Sequence, residues 1–141
     1  MKLRINSKGF TLTEILIVVV ILGIMAGIAI PRFFPQAEKG RVSEAIGILG
    51  AIRQGEEAYL LDQGTYCDPN TAGDCQGDWG GLGMDPPAGR YFTYDLSNIS
   101  ATTFTATATR TADSARGVYD GNTISIDETG AYGGNHPFTP N

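Results

Sequence analysis

Lys8-Gly9-Phe10-Thr11-Leu12-Thr13-Glu14 opens onto the run ILIVVVILGIMAGIAI (Ile15 to Ile30), and Pro31 follows. This stretch decides how the chain is built. From Ile15 to Ile30 there are 16 residues without a charge, and adding Phe10 to Glu14 brings the segment to 21. As a helix it would be about 31 Å long at ~1.5 Å per residue, which matches the hydrocarbon thickness of a bilayer. One carboxylate, Glu14, sits at the mouth of the segment. An ionised acid within a membrane segment costs about 2.5–3.5 kcal/mol on insertion scales, so it is a functional candidate that needs a named partner.

On the N-terminal side stand Lys2, Arg4 and Lys8, with no acid among the first nine residues. Basic residues at that end place it in the cytoplasm and the rest of the chain outside. The whole chain carries a formal charge of −5; without the first nine residues the balance is 7 basic against 15 acidic side chains, or −8. So acidic a body is a poor general surface for nucleic acid, whose binding is dominated by basic contacts to phosphate. A local basic patch remains compatible with that balance.

Three readings compete for the apolar run. A secretory signal peptide also has a basic start and an apolar stretch, but its apolar part spans roughly 7–15 residues and ends at an A-x-A-like site. Here the run is longer, Glu14 stands at its mouth and no such site follows. A plain single-pass anchor carrying a free ectodomain, such as a monomeric binding protein or adhesin, explains neither Glu14 nor the Lys8-Gly9-Phe10 junction.

The third reading explains both. Lys8-Gly9-Phe10-Thr11-Leu12-Thr13-Glu14 followed by ILIVVVILGIMAGIAIP resembles the N-terminal signature of type IV pilin precursors and of their relatives, the pseudopilins of type II secretion. The likeness is specific over residues 2–31. It implies cleavage between Gly9 and Phe10 by a membrane-embedded prepilin peptidase, N-methylation of Phe10, and polymerisation with other pilin-like subunits on an inner-membrane assembly platform. Cleavage would create an α-ammonium on Phe10, with a reference pKa of about 7.7–8.0. Glu14 lies four residues on, on the same helical face. It can pair with the terminus of its own chain or with that of a neighbour, and the second choice makes the pair a register device. The plain alternative is a helix-start acid that reaches back to the interface. The resemblance points to Phe10, Glu14 and Pro31 as assembly residues, and spacing adds Gly23 and Gly27. Gly23 and Gly27 form a G-x-x-x-G pair of the kind that lets helices approach closely in lipid. The resemblance suggests that the segment between Gly23 and Pro31 bends or partly unwinds in a packed filament, and Pro35 adds a second expected break.

Beyond the anchor the chain reads as one modest head, residues 32–141. An amphipathic helix is expected over 32–62, with Val42, Ala45, Ile46, Leu49, Ile52 and Tyr59 as its apolar stripe and Glu56 interrupting it. A glycine-rich loop region spans 63–89. Period-2 alternation then marks Arg90–Leu96, Ala101–Thr109 and Asn122–Asp127, separated by turn residues such as Asp120-Gly121 and Thr129-Gly130. That pattern predicts an antiparallel sheet over 90–133 whose apolar face covers the helix, an α+β head. The order of helix then sheet also agrees with the pilin-like fold that the resemblance implies.

Cys67 and Cys75 flank a loop, and two thiols with no histidine nearby leave a zinc site half-built. On the oxidising side of a membrane they are expected to form a disulfide. Asp127, Glu128, Asp74, Asp78 and Asp85 offer oxygens for calcium, but without EF-hand spacing they read as solvated loop acids. His136 reads as a loop histidine with no nucleophile beside it. Trp79, Tyr91 and Tyr94 read as packing aromatics. No cofactor, metal or catalytic group is expected. The expected role is a structural filament subunit, held in the inner membrane before assembly and in a periplasmic or extracellular filament afterwards, with a pseudopilin as the nearest alternative. The leader reading has a direct check: the membrane-derived protein should show an intact mass beginning at a methylated Phe10. A species retaining Met1, or cut near residues 27–30, would overturn it.

Overall fold

The computed structural model describes residues 9–70, 75, 79–112 and 117–141, without the side chains of residues 30–34. The chain divides into two compact units, Met1–Glu38 and Lys39–Asn141, and one helix contributes to both: α1, Leu12–Gln63, 52 residues long. It stops at Gly64, which adopts a positive φ of 76° and donates its N–H to the Leu60 carbonyl at 2.8 Å. Glycine takes this left-handed position without a Cβ penalty, so it ends the helix and satisfies a terminal carbonyl. The prolines do not end it. The backbone stays helical through Pro31 and Pro35, so the break expected at Pro35 is absent. Each ring removes one N–H donor, and the turns on either side hold the helix together. The segment from Gly23 to Pro31 is likewise helical in this single chain.

In the second unit α1 buries Val42, Ala45, Leu49 and Ile52, a spacing of three and four residues that lines one helical face. Four strands supply the opposite wall: β1 (Phe92–Ser97), β2 (Thr105–Arg110), β3 (Thr123–Asp127) and β4 (Tyr132–Gly134), antiparallel in that order. The register pairs Leu96 with Ala106 and Ala106 with Ile126, while Ala108 pairs with Tyr94 and Ile124. These inward residues join the α1 stripe in one hydrophobic core, with Phe104 fully buried and stacked at a tilt on Tyr66, ring centroids 4.9 Å apart. The expected α+β architecture is the one observed.

The differences have local causes. Alternation continues through Ala101–Phe104, yet β2 starts only at Thr105. Ser100 takes over the preceding backbone: its hydroxyl accepts the N–H groups of Thr102 at 3.2 Å and Thr103 at 3.0 Å, which favours a turn over a ladder. Tyr132-Gly133-Gly134 has no strand pattern, and β4 exists because β3 offers it an edge. Within the stretch read as loop, Trp79–Leu82 forms a 3-10 helix with both end residues buried.

That short helix leans on α1 at Gly55. A Cβ there would meet the Leu82 carbonyl oxygen at 2.8 Å and the Leu82 Cβ at 3.1 Å. At Gly47, also in α1, a Cβ would meet nothing within 4 Å. Alanine at either position gains helix propensity of up to about 1 kcal/mol, but overpacking costs roughly 1–3 kcal/mol. Thermal melting of the full chain in detergent should therefore place Gly47→Ala above the parent and Gly55→Ala below it by about 1–2 kcal/mol. A Gly55→Ala protein as stable as Gly47→Ala would mean that the 3-10 helix does not pack here.

Candidate functional site

The first turn of α1 is held by a reciprocal cap. Thr11 donates its backbone N–H to Glu14 Oε2 at 3.2 Å, and the Glu14 N–H returns to Thr11 Oγ1 at 3.2 Å. The Thr11 hydroxyl also donates to the same carboxylate oxygen at 3.2 Å. This is the Thr-x-x-Glu capping box, which satisfies two N-terminal donors of the helix at once. The pattern is legible in Thr11-Leu12-Thr13-Glu14 as a motif in its own right.

Beyond the cap, Leu12–Ala29 is long and apolar enough to cross a membrane, and none of it is buried. Ile15, Leu16, Val19, Leu22 and Ile28 all stay more than half exposed. So large an apolar surface marks an interaction with lipid or with another protein. Gly23 and Gly27 lie open on this segment, with nothing within 4 Å of where a Cβ would be. Phe10 is exposed next to the cap. The Lys8 side of the junction and the Pro31 side chain fall outside the described residues. Phe10, Glu14, Gly23 and Gly27 thus share one unburied segment.

Cys67 and Cys75 are disulfide-bonded, with Cα atoms 5.4 Å apart. Beside them lies a residue whose burial was not expected. Glu56, the interruption in the α1 stripe, is completely buried. Its Oε2 accepts the Cys67 N–H at 2.9 Å, and Oε1 is buried without a hydrogen-bond partner among the described residues. Burial raises its pKa to about 7, opposed by the Cys67 hydrogen bond and reinforced by the nearby charge of Asp68. Burial likewise pushes the Tyr94 hydroxyl up to about 12, with Glu44 adding to it.

Two of the candidate calcium acids serve structure. Asp127 Oδ1 accepts from the Thr129 hydroxyl and N–H and from the Ala131 N–H, which holds its carboxyl below the usual range. Glu128 Oε2 accepts the Phe104 N–H at 3.3 Å. Asp74 and Asp78 lie outside the described residues, and among those described no group of three potential metal ligands forms. His136 is a buried ring rather than a surface one, packed near Phe92, Tyr119 and Phe138. Tyr91 carries three guanidinium groups, Arg41 at 4.4 Å, Arg110 at 5.4 Å and Arg90 at 5.5 Å from its ring centroid. Net charge gave no sign of this local cluster.

Residues 31–119 match the family described as type IV minor pilin ComP, DNA uptake sequence receptor. The chain belongs to that family. Residues 4–30 match the prokaryotic N-terminal methylation motif, directly upstream of the minor-pilin region. The chain is also similar to the type IV major pilin protein PilE1 of Neisseria gonorrhoeae, 38% identical over 67 residues, which are 48% of this chain and 31% of that protein. To the type II secretion system core protein G of Pseudomonas aeruginosa it is 40% identical over 63 residues, 45% of this chain and 44% of the other. To the fimbrial protein EcpC of Eikenella corrodens it is 36% identical over 66 residues, 47% of this chain and 43% of the other. These matches span less than half the length of each of those relatives. For a minor-pilin-family chain, the unburied segment and its capped acid are the features to explain.

Proposed function

We propose that this chain is a structural subunit of a type IV pilus-type filament, polymerised through residues 10–31 after removal of residues 1–9. The observation that carries this reading is the wholly unburied apolar segment Leu12–Ala29 headed by an acid held only at its own helix start. Before assembly, lipid covers that surface, with the N-terminus on the cytoplasmic side and the acidic head outside. In the filament, neighbouring helices replace the lipid, and Gly23 and Gly27 allow their backbones to come close. The segment between Gly23 and Pro31 is then the place where the helix yields to packing. The partners are further pilin-like subunits, a prepilin peptidase that also methylates, and the inner-membrane assembly platform. A pseudopilin role uses the same chemistry, in keeping with the likeness to the secretion protein.

Cleavage after Gly9 leaves an ammonium on Phe10, one residue before the cap. Glu14 then has a choice between its own Thr11 N–H and the positive terminus of a neighbour. Docking exchanges the first for the second and leaves no unpaired charge in the bundle. Glu14→Gln separates the two roles, because glutamine also serves in the capping box. Helix start, insertion and leader cleavage should survive, while an ammonium left without its counter-charge costs about 3–5 kcal/mol per subunit. Sheared surface filament should fall sharply relative to the membrane pool of subunit. Normal filament yield from Glu14→Gln would reduce Glu14 to a cap alone.

A second role is favoured by Tyr91. Its ring gathers Arg41, Arg90 and Arg110 into a local cationic cluster, the kind of charge that contacts to duplex phosphates require. Arg110 is committed to the Tyr91 and Thr111 carbonyls at 3.1 and 2.9 Å, so the exposed Arg90 is the group that can reach a phosphate. This reading brings the DNA-receptor property in the family's description to a chain whose net charge opposes it. Duplex DNA retained by the full chain in micelles should weaken from 50 to 200 mM salt, and Arg90→Ala should lower the log–log slope by about 0.9. No retention at 50 mM salt would leave the acidic balance decisive and remove the role.

A further inference from the structure

Glu56 has no part in the assembly segment or in the Tyr91 cluster. It lies in α1 directly after Gly55, where the 3-10 helix Trp79–Leu82 closes down, and it faces the start of the disulfide-bonded segment. Its carboxyl holds the Cys67 amide, and its second oxygen is buried with no hydrogen-bond partner among the described residues. A neutral carboxyl tolerates that position. A carboxylate does not, because an uncompensated charge in a dry site costs several kcal/mol.

We propose that Glu56 is a latch between α1 and the segment Tyr66–Pro69, closed when its carboxyl is protonated and released when ionisation draws water to Oε1. Among the described residues, the groups around it supply no counter-charge. Asp68, on the latched segment, adds negative potential and accepts the Asn70 N–H at 2.9 Å. Tyr66 is buried, and its own ionisation is held off by burial and by Glu128, Glu57 and Glu56. Arg53, one turn back on α1, is bound to Glu57 and donates to the Glu128 carbonyl. The described residues of the 3-10 helix, Trp79 to Leu82, carry no charge.

The sign follows from the raised value. Closed, the group holds its proton up to about pH 7; released into water it titrates near 4.5. Between these two values the open form loses the proton that the closed form keeps, so opening is favoured about tenfold per pH unit as pH rises, levelling above about 7. The latch is therefore tightest in acid. The inference rests on this burial and does not depend on the filament reading.

The test is amide-resolved hydrogen exchange of the full mature chain in detergent, corrected for intrinsic rates, from pH 5 to 8. Protection at Cys67 and its neighbours should fall by tens of fold up to pH 7 and then level, while the β2 amides stay unchanged. The Glu56 carboxyl carbon, followed by NMR, should titrate near 7, and Asp68→Asn should lower that midpoint. Glu56→Gln should remove the pH dependence at Cys67. If that variant does not fold, the parent carboxyl titration and Asp68→Asn decide the matter. A Glu56 midpoint near 4.5, or Cys67 protection that does not change between pH 5 and 8, overturns the proposal.

Discussion

The backbone ladder of α1 is continuous from Leu12 to Gln63, but the side chains along it are written for two different surroundings. Over Leu12–Ala29 nearly every position is apolar and none is buried. From Val42 to Glu56 only one face is buried, and the remaining positions are polar, small or partly exposed. A helix satisfies its own backbone groups in lipid and in water alike, so a single element can pass from one solvent to the other. The head needs the second stretch as one wall of its core, and the first is long and apolar enough to cross a membrane. The N-terminal methylation motif, residues 4–30, covers the start of this helix.

The beginning of α1 meets a conflict between local and collective needs. Locally, Thr11 and Glu14 close a capping box that the single chain uses at once. In a bundle of such helices the same carboxylate would be the strongest acceptor available to a positive terminus. Both roles require an oxygen at that position, and only the second requires a charge. This is why the helix start by itself does not reveal the purpose of the acid.

The head handles its polar burial in three ways. Arg110, buried at the end of β2, gives its guanidinium to two backbone carbonyls and lies near the Tyr91 and Phe92 rings. Asp127 spends one oxygen on three donors and so builds the β3–β4 turn. Among the described residues Glu56 meets only half its need, with one oxygen on the Cys67 amide and the other without a partner. The first two groups are well matched to their ordinary charged forms. The third is matched to its neutral form, and that difference sets it apart as a pH-responsive element.

The long apolar run, the acid at its mouth, the helical stripe and the alternating strands were all legible in the residues, because each depends on a period or on a run along the chain. Leu12–Ala29 announces itself by length and apolarity, and Ala106, Ala108, Ile124 and Ile126 by their alternation. What only the tertiary structure decided are matters of who meets whom. Ala101–Phe104 alternate like a strand, yet the Ser100 hydroxyl turns them, and Tyr132–Gly134 become a strand only because β3 lies beside them. Glu56 looked like a break in an apolar stripe until the Cys67 segment folded over it. Arg41, Arg90 and Arg110 are distant in sequence and converge on one ring. Periodicity records which face of an element is apolar. It holds no record of the loop that later covers that face, and at Glu56 and Tyr91 the covering contacts decide both the charge and the chemistry.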